Sequence, residues 1–170
     1  VHHFLPVDVL LGAGLALLLY SGVHDFAFRT VPNWVSAALF GVGAALRLIE
    51  GGGVGLAIGI AIALAVLLLT FIFWRLGWMG GGDVKLLTAA AIFVTPFMVP
   101  FLISGTAIAG GLLSVAYLAG GSFVKRPHGA RPAGLVRRAL RCEQWRLSRR
   151  GPLPYAAAIA AGGWIATLHA

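Results

Sequence analysis

Residues 86–124 run for 39 positions without a charged side chain. As one helix this stretch would be roughly twice as long as a hydrocarbon core about 30 Å thick. Pro96 and Pro100 fall near its middle, where a turn divides it into two spans. Residues 53–74 are also uncharged and long enough to cross a bilayer. Over the whole chain 59% of residues are hydrophobic and 11% charged, against about 25% charge in a soluble domain. Apolar segments near 7–23, 34–49 and 153–168 complete the count. The expected fold is all-α, a polytopic membrane protein with six transmembrane helices in a single membrane domain over residues 1–170.

The first segment has no Lys or Arg ahead of it and no cleavage-like small-residue site before His24, so it reads as a retained helix rather than a signal sequence. Arg47, near the end of the second segment, can snorkel toward the headgroups, with Glu50 just beyond it. Cys142 is the only cysteine, which excludes an internal disulfide and any multi-thiolate zinc centre. Small-residue clusters such as GAGLAL, GVGAAL and AGGLL mark faces on which helices approach closely.

Charge distribution sets the orientation. Nine of the thirteen Lys and Arg residues lie between positions 125 and 150, inside the one long polar connection, 122–152. The positive-inside rule makes this connection cytoplasmic, and counting loops backwards puts Arg29, Arg75 and Lys85 on the same side. Leu135, Val136, Leu140, Trp145 and Leu147 interrupt its arginines, a pattern suited to anionic lipid headgroups rather than to nucleic acid.

Only five acidic residues occur, and Asp25 and Asp83 stand at the ends of apolar segments, where an ionised carboxylate is costly. Each has an ordinary explanation when taken alone. Asp83 suits the N-terminus of a helix as a cap, and Asp25 can pair at the surface with Arg29. Together they say more, because the topology brings both to the cytoplasmic side at one depth. Two carboxylates that meet share a proton and supply an acid and a base at once. By helix ends alone, Asp83 at an N-terminus would be the base and Asp25 at a C-terminus the acid. Gly80, Gly81 and Gly82 leave room for an extended peptide beside Asp83, and Lys85 can bias the site or reach headgroups. The glycines lack the Lys-Ser/Thr of a phosphate-binding loop, HExxH is missing, and the histidines are scattered. No metal and no cofactor are expected, which leaves aspartyl hydrolysis as the economical chemistry. A small proton- or cation-coupled transporter or scaffold is the alternative use for two such carboxylates.

Three stretches together resemble the type IV prepilin peptidase family, especially its short members associated with Tad/Flp pili. They are DFAFRTVPN around Asp25, GGGDVKLL around Asp83, and GPLPYAAAIAAG at the opening of the last apolar segment. The resemblance implies a membrane aspartyl endopeptidase that removes the leader of prepilin or pseudopilin precursors at the cytoplasmic face of the bacterial inner membrane. It assigns the catalytic pair to Asp25 and Asp83, and the supporting glycines of a GxGD motif to Gly80 and Gly82. Longer relatives carry cysteine pairs and methylate the new N-terminus; without those cysteines, methyl transfer is not expected here.

Overall fold

The computed structural model describes residues 4–123 and 153–169, and these are helical almost throughout. The helices are α1 (Phe4–Phe28), α2 (Asn33–Arg75), α3 (Gly81–Phe93), α4 (Val99–Phe123) and α5 (Tyr155–Leu168), with a 3-10 turn at Pro96–Met98 before α4. The basic connection expected at 122–152 lies outside the described residues apart from its first two positions.

α2 is two helices joined at a kink rather than one straight element. Gly52 has φ 59 and ψ −151, a conformation open essentially to glycine alone. A straight helix of 43 residues would be about 65 Å long. Both ends of α2 nevertheless lie beside the start of α3. Lys85 Nζ donates to Asn33 Oδ1 at 3.1 Å, and a Cβ on Gly81 would stand 3.5 Å from Trp74 Nε1. The element is therefore a helical hairpin whose arms meet at Gly52, and six helical segments result among the described residues.

Arg47 stabilises this hairpin from within. It is 5% exposed, pairs with Glu50 at 2.9 Å and donates to the carbonyl of Phe93 at the end of α3. A Cβ on Gly59 of the second arm would come 2.8 Å from Arg47 Cγ, so the arms touch across this side chain. Arg47 thus turns inward instead of snorkelling. Glu50, three residues on, and the open carbonyl at the α3 C-terminus give its charge nearer partners than the headgroups.

α3 is the centre of the bundle. Val84, Leu86, Leu87 and all of Ala89 to Phe93 are buried on it, as in a helix that is apolar all round and covered by neighbours. It lies against both arms of α2 and against α5. Close approach depends on glycines facing it: a Cβ on Gly43 would sit 2.7 Å from the backbone nitrogen of Phe93. Thr95, extended at ψ 147 ahead of Pro96, ends the α3 path where the sequence places its turn.

The outer surface is apolar. Val54, Ile58, Leu64, Leu68 and Ile72 line the exposed side of the second α2 arm, and Ile108, Leu112, Val115 and Leu118 that of α4. Helical spacing of exposed aliphatic side chains is the reverse of a soluble helix and presents hydrocarbon to hydrocarbon. Among the described residues, three helices are long and apolar enough to cross a membrane: Pro6–Phe28 within α1, Asn33–Arg75, and Pro96–Ala119 within the turn and α4. At 13 and 14 residues, α3 and α5 are about 20 Å long and shorter than a full span.

Candidate active site

Asp25 occupies the last turn of α1 and is only 6% exposed. The helix stops four residues later, where Arg29 takes φ 57 and its N–H bonds the Asp25 carbonyl at 2.8 Å, an αL cap made without glycine. Arg29 reaches across to α4, donating to the Tyr117 hydroxyl at 2.7 Å with its guanidinium 5.5 Å from the ring centre. His24 donates from Nδ1 to the carbonyl of Thr30 at 2.7 Å, which fixes the exit of the chain.

A helix distant in sequence holds the Asp25 carboxylate. Its Oδ2 accepts a hydrogen bond from the backbone N–H of Ala156 at 3.1 Å. Ala156 is the second residue of α5, whose N-cap, Pro154, offers no capping side chain. The first turn of any helix has N–H groups without internal partners, and Asp25 satisfies one of them from 131 positions away.

Asp83 is the third residue of α3, after the N-cap Gly80. Its carboxylate accepts from the N–H of Gly80, while its own N–H bonds the Gly80 carbonyl at 3.1 Å. The carboxylate reaching back to the N-cap N–H is one half of a capping box, with Asp in place of Glu. It explains the glycine, because a Cβ at position 80 would stand 2.9 Å from Asp83 Oδ2. Gly82 is less constrained: its Cβ would meet Val31 at 3.5 Å, an ordinary contact.

Both carboxylates line one cleft of about 960 Å³ at the end of the bundle where α1 stops and α3 and α5 begin. Arg29, Asn33, Trp78 and Tyr155 share its wall. Asp83 precedes the uncharged stretch and lies outside the spanning segments. Burial in the first place and the charge of Asp25 in the second raise its pKa from 3.8 to about 6, against the opposing bond from Gly80. Lys85 is exposed and does not line the cleft; its bond to Asn33 ties the first turn of α3 to the start of α2. No group of three or more metal-ligating side chains occurs among the described residues.

Sequence reasoning passed over Tyr155 and the N–H of Ala156. The stretch LPYA had been noted only as the opening of a helix, and a backbone donor leaves no mark in a sequence. The sequence gives no sign of the bridge from Arg29 to Tyr117.

Long apolar helices with lipid-facing aliphatic surfaces define a membrane protein, and a cleft at one end of its bundle is lined by two carboxylates. Residues 12–115 match the type IV leader peptidase family, a region that includes Asp25 and Asp83. The chain belongs to that family, and is a peptidase of it. No curated protein matches the chain, and no solved structure does.

Proposed function

We propose that this protein is an aspartyl endopeptidase of the bacterial inner membrane that removes the leader of type IV prepilin or pseudopilin precursors at the cytoplasmic face. The observation that carries this reading is the common cleft of Asp25 and Asp83, contributed by the ends of two helices 58 positions apart in the chain. The six helical segments would form a six-pass bundle, with α3 and α5 enclosed by longer neighbours. The basic residues at 125–150, with Arg29, Arg75 and Lys85, favour the cytoplasmic side for the cleft. The same basic connection would rest on anionic headgroups. The GxGD glycines at 80 and 82 and the resemblance to Tad/Flp members favour a small pilin as substrate.

The surroundings of the two carboxylates reverse the roles that helix ends alone suggest. Asp25 Oδ2 accepts the N–H of Ala156, a donor suited to a carboxylate, while Asp83 has its pKa raised to about 6. Asp25 is the base and Asp83 the acid. Water gives a proton to Asp25 as its oxygen bonds the scissile carbonyl carbon, and Asp83 gives its proton to the carbonyl oxygen. When the tetrahedral diol collapses, the proton on Asp25 passes to the departing nitrogen and a hydroxyl returns one to Asp83. Water and amide become acid and amine, and both carboxyl groups are restored.

The test is cleavage of a purified prepilin precursor by the purified protein in detergent. Asp25→Asn and Asp83→Asn are each expected to lower the rate at least 10³-fold while the protein remains folded. Cleavage by either variant at the wild-type rate would overturn the reading.

A further inference from the structure

Tyr155 opens α5 and faces the same cleft as the two carboxylates. Its position is set on three sides. Pro154 is fully buried and fixes the backbone immediately before it. Ala156, immediately after it, donates its N–H to Asp25. Its ring rests against α4, where a Cβ on Gly110 would stand 3.0 Å from Tyr155 Cε2 and 3.6 Å from the hydroxyl. A side chain at 110 would require the ring to shift by a few tenths of an ångström.

Two other polar side chains around the cleft are already engaged. Ser114 donates to the carbonyl of Gly110 at 2.7 Å, and Asn33 Oδ1 accepts from Lys85. The Tyr155 hydroxyl has no hydrogen-bond partner among the described residues. A phenol keeps its proton at neutral pH, so the hydroxyl remains a donor. A half-buried phenol held in place beside two carboxylates is a donor without a task in the resting protein.

Amide hydrolysis supplies one. As water adds to the carbonyl carbon, negative charge develops on the carbonyl oxygen, and a fixed donor aimed at that oxygen is worth more in the transition state than in the bound substrate. Asp83 furnishes one such donor. We propose that Tyr155 is a third catalytic residue, whose hydroxyl donates a hydrogen bond to the oxygen of the tetrahedral intermediate and keeps its own proton throughout. This role rests on the aspartyl peptidase reading.

The experiment measures kcat and KM separately for a purified prepilin precursor with the full chain in detergent, comparing Tyr155→Phe with Asp25→Asn and Asp83→Asn. Tyr155→Phe retains the ring against Gly110 and removes only the hydroxyl. It is expected to lower kcat about 10²-fold with KM within about twofold, the pattern of an interaction made only in the transition state. Inactive Asp variants beside a Tyr155→Phe whose kcat stays within about threefold of wild type would overturn the Tyr155 role and leave the aspartyl reading intact. A rise in KM at unchanged kcat would likewise overturn it, by showing a ground-state contact. Wild-type cleavage by either Asp variant would overturn both. Should Tyr155→Phe fail to fold, Gly110→Ala serves instead, with a loss of kcat at unchanged KM expected and an unchanged kcat contradicting the role.

Discussion

Asp83 combines two demands on one side chain. Its bond to Gly80 closes the first turn of α3, while its burial beside Asp25 works against its charge. A pKa raised from 3.8 to about 6 means that the folded protein binds a proton more tightly than the unfolded chain does. The associated stability is fully present below the lower value and is lost as pH rises through the higher one. Asp83→Asn keeps an acceptor for Gly80 and cannot ionise. It is expected to stabilise the fold by about 1–3 kcal/mol above pH 6, with the gain shrinking toward pH 4. Thermal unfolding of both proteins in detergent across that range checks this. A variant that gains stability as it loses activity would show that the site holds its carboxylate against the preference of the fold. Asp25 and Asp83 were legible in the sequence because acidic residues are rare beside apolar runs. The donor to Asp25 was not, because the N–H of Ala156 belongs to the main chain and leaves no mark in a sequence.

At the scale of elements, the sequence announces where helices stop more clearly than how they turn. Pro96 marked the end of the α3 path, and the apolar runs marked the helices on either side. Gly51, Gly52 and Gly53 stood between two expected segments, but only the backbone angles identify Gly52 as the position that reverses the chain. Gly52→Val is expected to destabilise the hairpin by about 1–3 kcal/mol, since a β-branched side chain is strongly disfavoured at φ 59. A lowered unfolding midpoint in detergent checks this, with Gly51→Val, at a neighbouring position of ordinary helical geometry, as the reference. Arg47 was misread for a related reason. Its sequence neighbours suggested an interface, whereas its partners, the carbonyl of Phe93 and the face of Gly59, come from other segments. Segment lengths also changed: burial on all sides lets α3 be only 13 residues long, because neighbouring helices rather than lipid cover it.

The whole molecule brings its first and last described helices to one point. The family match ends at residue 115, yet the donor to Asp25 and the wall formed by Tyr155 both belong to α5. A chain shortened to residues 1–152 would keep both carboxylates and lose their support. It is expected to lose more than 10²-fold in precursor cleavage, and adding residues 153–170 back as a separate segment in the same membrane should restore part of it; cleavage assays on reconstituted vesicles measure both. The resemblance at GPLPYAAAIAAG pointed to this helix without indicating that it touches Asp25. The bond between Ala156 and Asp25 also orders events during synthesis. A ribosome delivers α1 and α3 to the bilayer long before it delivers α5, so a half-made chain already carries both acidic side chains but lacks the grip that readies one of them. On the proposed reading, a nascent chain is expected to cleave poorly until translation has supplied that last helix.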